Sequence, residues 1–244
     1  MRSQFNLATQ RQEYTITSTE KEVETGRRIA RRVEHELSVE PDETVQERVR
    51  ALGARLAAVC DRQELLYHFT VLADEDVNAF SLPGGYVFVN RGLLDAAQSD
   101  DEVAAVLAHE IAHITTRHAV KRAESGMGLT LVQLATIATR QGAAAQGFSV
   151  ATQAARLAYA RQDELEADRL GVKYMRAAGF DPTAMLRFLS TLQGIHQDKT
   201  HYLPAGVIRP QYALTHPFVP ERIRTVKEAI YGVADYIDYL NSPE

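Results

Sequence analysis

The sequence predicts an α+β fold, mostly helical, with one small sheet beside a central helix. Three observations carry this. Apolar residues recur at three- and four-residue spacing through most of the chain, the period of helices that bury one face. Two short runs rich in β-branched and aromatic residues, Tyr67–Leu72 and Tyr86–Val89, flank the turn sequence Leu82-Pro83-Gly84-Gly85 and break that pattern. Hydrophobic residues make up 45% of the chain and charged residues 24%, which is enough to bury a core of useful size.

The elements follow in order. Residues 1–17 are polar and read as an N-terminal arm. A helix is expected from Ser18 to about Leu37, capped by Ser18 or Thr19, with Val23, Ile29, Val33 and Leu37 roughly on one face. After Pro41 a second helix should run from Asp42 to about Cys60, with Asp42 and Glu43 complementing its dipole. Tyr67–Leu72 reads as a strand, and Asn78–Asn90 as a hairpin-like pair of extended segments. Arg91–Ala97 is a short helix. The clearest helix start is Ser99, with Glu102 three residues on and Asp100 and Asp101 in the first turn. A weakly charged, alanine-rich stretch fills 126–160, and helices follow over about 161–178 (ended by Gly179), from Asp181-Pro182 to about Gln193, and from near Pro220. The whole chain, 1–244, reads as one domain: an arm (1–17), two helices (18–62) and a core (63–244).

Composition excludes some classes. The formal net charge of -5 offers no clustered positive face, so nucleic acid is not an expected partner. The single cysteine, Cys60, cannot close an internal disulfide and reads as a small buried hydrophobe. No leader is visible in the first nineteen residues, and the longest apolar run, near Leu129–Thr139, is short of the roughly 20 residues a membrane span needs. The stretch Met127–Thr139 is read as a core helix first, and otherwise as a cover for the site or a peripheral membrane contact.

His109-Glu110-Ile111-Ala112-His113 carries the chemistry. Residues four apart on a helix share a face, so two imidazoles at this spacing can converge on one zinc ion. Glu110, beside the first histidine, can accept a proton from an attacking water. A third ligand is sought in Asp163-Glu164-Leu165-Glu166-Ala167-Asp168. Glu164 and Asp168 share a face, so Glu164 can bind the metal while Asp168 takes the outer N–H of a ligand histidine. Glu166 competes as ligand, but its face differs and position 170, a leucine, offers it no partner carboxylate.

Together, His109-Glu110-x-x-His113 and Glu164-x-x-Ala167-Asp168 resemble the zinc metallopeptidase family of HtpX, BepA and the CAAX prenyl endopeptidases. Asn78–Gly85, Arg91–Leu94 and Thr215-His216-Pro217 with Glu221-Arg222 are similar to further segments of the soluble, BepA-like members, so the likeness covers about Ser18–Ile230. It implies a gluzincin-type fold, endopeptidase activity on protein or peptide substrates, one zinc ion per chain on His109, His113 and Glu164, and Glu110 as the base. It also implies a periplasmic or envelope location. The sequence shows no spanning helices like those of the membrane-embedded relatives and no obvious repeat module for partner binding, so neither is expected. A zinc-retaining, chaperone-like binding protein is the alternative, which the intact Glu110 disfavours.

His216 could stabilise an oxyanion or occupy the open metal position, the latter being what the resemblance implies. Arg222 is read as orienting a substrate carbonyl or its own loop, or as paired with Glu221. His118, five residues after His113, should point away from the metal face and reads as structural or solvated, and His68, His196 and His201 lack partners at ligand spacing. Tyr86, Val87 and Phe88 are read as part of an edge strand to which an extended substrate could add.

Overall fold

The computed structural model describes residues 2–125, 160–202 and 216–232. Within them the fold is α+β and mostly helical, as the sequence predicts. A hairpin of β1 (Arg2–Asn6) and β2 (Arg11–Thr15) opens the chain. Then come α1 (Thr19–Glu36), α2 (Glu43–Ala57), β3 (His68–Leu72), β4 (Ala79–Leu82), β5 (Tyr86–Asn90), α3 (Arg91–Ala96), α4 (Asp100–Thr115) and α5 (His118–Glu124). After the segment 126–159 follow α6 (Arg161–Ala177), α7 (Thr183–Tyr202) and α8 (Val219–Tyr231). The Met127–Thr139 stretch lies outside the described residues.

The N-terminal arm is a correction: it pairs with itself as a hairpin and locks onto α5. Lys121 Nζ donates to Glu13 Oε1 at 2.6 Å, and Glu124 Oε1 accepts from the Thr17 amide at 2.7 Å. Its polar side chains gave no strand alternation because their partners are ions on α5. Helix α7 also runs past Gln193 to Tyr202, so His196 and His201 lie on it.

The larger sheet has the order β3-β5-β4, with β3 parallel and β4 antiparallel to β5. Gly84 and Gly85 make the β4–β5 turn with φ of +81° and +102°. A Cβ on Gly85 would also sit 2.4 Å from the Leu66 carbonyl, so only glycine fits there. Val87 and Val89 face one apolar cluster, shared with α2, α4 and α6–α8. Phe80, Leu82 and Phe88 face a second, covered by α1, with the Phe80 and Phe88 rings stacked at 5.2 Å.

This order corrects the substrate-edge reading of Tyr86, Val87 and Phe88. Their strand is central, hydrogen-bonded on both sides, and cannot accept a further strand. The uninterrupted apolar run Tyr86-Val87-Phe88-Val89 is the mark of a strand covered on both faces. The terminal strand on the side of α4 is β4.

Helix α4 is the hub. It packs against α2, α6, α7 and β4, and every residue from Glu102 to Thr115 is buried. Ser99 caps it, its Oγ accepting from the Glu102 amide at 3.3 Å, while the Glu102 carboxylate accepts from the Gln98 amide at 2.9 Å. Ala104, Ala105, Ala108 and Ala112 let its neighbours approach closely. Val103, Leu107 and Ile111 are fully buried, worth about 1.5–3 kcal/mol each relative to exposure.

Candidate active site

Three elements bring the polar centre together. Helix α4 supplies His109, Glu110 and His113, all within 2% of full burial. Helix α6 crosses it at Gly171, where an added Cβ would lie 3.4 Å from the His109 amide nitrogen. That close crossing lets Glu164 and Asp168, one turn apart and fully buried, reach the histidines. The third element is the start of α8. His216 precedes Pro217, and the residue before a proline is disfavoured in helical backbone. Phe218 at φ +68° then turns the chain into α8, whose Arg222 points inward, 1% exposed.

The distances define a single focus. His109 Nε2 and His113 Nε2 are 3.0 Å apart. Glu164 Oε2 lies 3.5 Å from the first and Oε1 3.4 Å from the second. His216 Nδ1 is 3.1 Å from Glu164 Oε1 and 3.3 Å from His109 Nε2. One ligand atom from each of His109, His113, Glu164 and His216 lies within 4.8 Å of all the others, the reach of groups able to hold one metal ion. Around this focus, Asp168 Oδ1 sits 2.9 Å from His109 Nδ1. Arg222 donates to both Asp168 oxygens, from Nε at 2.9 Å and Nη2 at 2.8 Å, and its Nη1 is 3.3 Å from Glu164 Oε2.

The donor set suits a divalent cation. Both oxygens of buried Glu110 lack a hydrogen-bond partner among the described residues; the nearest ionisable nitrogen is His216 Nε2, 3.3 Å from Oε1. A buried carboxylate left so is costly unless a donor or cation fills the space before it. Charge makes the same point: three buried carboxylates (Glu110, Glu164, Asp168) face one guanidinium (Arg222), an excess that a dication would neutralise.

The titration shifts follow this imbalance. Burial and Arg222 oppose a charged His109, yet hydrogen bonds to Asp168 and Glu164 outweigh them and raise its pKa to about 9. Burial holds His113 well below the usual histidine range. Burial alone would raise the Glu164 carboxyl, but His216 and Arg222 outweigh it and hold it well below the carboxylate range. Asp168 is likewise held down, against burial, by Arg222 and the His109 hydrogen bond.

The structure thus brings together His109, Glu110, His113, Glu164, Asp168 and His216. It separates Tyr86, Val87 and Phe88 from this centre as members of the central strand. The surface reading of Arg222 needs a correction: its guanidinium is buried against two carboxylates, Asp168 and Glu164. Glu221 instead meets Arg161 at the surface. His118 needs another. It is 2% exposed, and its Nδ1 lies 2.8 Å from His113 Nδ1. The straight-helix projection failed because α4 ends at Thr115 and Arg117 adopts φ +60°, ψ +33°, swinging His118 back over the preceding turn. Arg117 is held in that conformation by Glu22 Oε2 at 3.0 Å from its Nε and by the Thr17 carbonyl at 2.7 Å from its Nη2. On its far side His118 Nε2 is 3.1 Å from Glu166 Oε2, and that hydrogen bond lowers the Glu166 pKa. A five-residue spacing carries no warning of such a return; only the break in apolar pattern at Thr115-Thr116-Arg117 hints at it.

The model of peptidase family M48 matches residues 43–230. The hairpin β1–β2 and helix α1 lie outside that match. The chain is similar to a putative beta-barrel assembly-enhancing protease of Vibrio cholerae, 32% identical over 81% of this chain and 43% of the relative. It is similar to the beta-barrel assembly-enhancing protease of Escherichia coli, 30% identical over 75% of this chain and 38% of the relative. A mitochondrial metalloendopeptidase, OMA1 of Schizosaccharomyces pombe, is 30% identical over 71% of this chain and 50% of its own length. The chain therefore spans half or less of the length of these relatives.

Proposed function

Because the chain belongs to peptidase family M48, we propose that it is a zinc-dependent endopeptidase cutting unfolded or exposed segments of proteins. The observation that carries this is the convergence of His109, His113 and Glu164 on one point beside a buried Glu110 with unsatisfied oxygens. His109, His113 and Glu164 would hold one zinc ion. When bound, zinc supplies Lewis acidity, polarising a carbonyl and making water nucleophilic near neutral pH. Glu110 accepts a proton from the attacking water and passes it to the leaving amine. Asp168 accepts a hydrogen bond from His109 Nδ1 and so keeps Nε2 turned to the focus. Arg222 holds Asp168 in place and offsets its charge.

In this reading the chain is one metallopeptidase domain, because a single apolar cluster runs from α2 through the sheet to α8. Peptide binding by strand addition moves from Tyr86–Asn90 to β4, the sheet end beside α4. The likeness to beta-barrel assembly-enhancing proteases of bacteria favours an envelope location. No helix among the described residues is long and apolar enough to cross a membrane.

The test is cleavage of unfolded casein by the protein as isolated, after metal removal, and after zinc is restored. Cleavage should vanish with the metal and return with zinc. Cleavage that persists in verified metal-free protein would end the proposal.

His216 closes the fourth position in this reading. With four side chains around the focus the set resembles a closed metal site, whereas a working one keeps a position for water. His216→Ala is therefore expected to keep zinc and raise the initial rate of casein cleavage severalfold. A rate equal to or below wild type would show that His216 is not a gate.

A further inference from the structure

The mechanism above gives His109 an outer partner, Asp168, and leaves His113 without one. Yet His113 has a buried neighbour on its outer side. His113 Nδ1 and His118 Nδ1 are 2.8 Å apart, and His118 Nε2 is 3.1 Å from Glu166 Oε2. His118 is 2% exposed, so water does not substitute for these contacts.

We propose that His118 and Glu166 are positioning residues for the metal: they fix His113 in the tautomer that leaves Nε2 free to bind. The proposal rests on the metal site just described. Its logic is donor counting. An imidazole ring nitrogen either donates or accepts, and neutral imidazole has one of each. A carboxylate only accepts, so Glu166 selects the proton on His118 Nε2. A ring that carries its single proton on Nε2 presents a bare Nδ1, which accepts a hydrogen bond from His113 Nδ1. His113 Nε2 is left with its lone pair aimed at the focus, 3.0 Å from His109 Nε2. Reversing any one bond in the row would place a proton on His113 Nε2 and block it. Each ligand histidine thus has a carboxylate behind it, Asp168 directly for His109 and Glu166 through His118 for His113. The αL turn at Arg117 is what makes room for this second arrangement.

The test compares side chains of equal charge but different bonding. His118→Leu removes the acceptor, whereas His118→Asn keeps an amide oxygen near the Nδ1 position. At Glu166, whose side chain is about one-third exposed, Glu166→Met and Glu166→Gln both remove the charge, and only Gln keeps an acceptor. Zinc affinity is measured by chelator competition, the geometry by the visible spectrum of the cobalt-substituted protein, and folding by the melt of metal-free protein. His118→Leu is expected to weaken zinc binding about 10–100-fold and alter the cobalt spectrum, with His118→Asn recovering most of the loss. Glu166→Met should weaken binding more than Glu166→Gln, with metal-free melts near wild type. Equal affinity in all four variants, or equal losses in the Met and Gln pair, would overturn the proposal. If wild type itself binds no stoichiometric zinc, the metal reading falls and takes this one with it; tight wild-type binding with indifferent variants sinks this one alone.

Discussion

Glu110→Gln is expected to slow casein cleavage about 10²–10⁴-fold while the protein keeps one zinc per chain. The substitution is nearly isosteric, but an amide cannot take the proton that a carboxylate takes. Stability should hold, because the Glu110 oxygens make no hydrogen bond within the described residues and none is lost. A buried charge also disappears, so the metal-free variant should unfold no more easily than wild type. The readouts are the initial rate of peptide release and metal content from the same preparation. Equal, measurable rates in variant and wild type would remove Glu110 as base, and no cleavage by either would leave the binding-protein alternative standing. A loss of zinc alongside the loss of rate would assign Glu110 a part in holding metal instead.

The second large effect is on folding. Arg222→Met should destabilise the protein by about 3–5 kcal/mol, the usual cost of leaving buried carboxylates without their counter-ion. Arg222 is 1% exposed and serves two such groups, Asp168 through two hydrogen bonds and Glu164 at 3.3 Å. Arg222→Lys should recover little, since an ammonium cannot bridge both Asp168 oxygens in one plane and reach Glu164 as well. Urea unfolding with and without bound zinc measures this, and zinc should recover part of the loss by supplying positive charge at Glu164. A change below about 1 kcal/mol would mean that water or a nearby cation already screens these carboxylates.

Much of the centre was legible in the sequence because it rests on helical periodicity. His109 with His113 and Glu164 with Asp168 are both four-residue pairs, and the spacing alone puts each pair on one face. The helix starts were legible too: Ser99 and Ser18 cap α4 and α1 by their side chains. What escaped depended on tertiary contact. Arg222 has no spacing in the sequence that ties it to the centre, and its hydrogen-bond partner Asp168 lies 54 residues away on α6. His118 was projected along a helix that stops at Thr115. The strand Tyr86–Asn90 was identified, but its place in the sheet follows from which faces are covered, and its unbroken apolar run should have argued for the middle. The hairpin β1–β2 had no apolar alternation to announce it, since its fastening to α5 is ionic.

The centre's components are widely spaced along the chain, from His109 on α4 to Arg222 on α8. Synthesis runs from the N-terminus, so α4 and α6 leave the ribosome before the residue that neutralises Glu164 and Asp168 has been translated. A nascent chain of that length therefore carries Glu164 and Asp168 without the guanidinium that faces both of them in the folded protein.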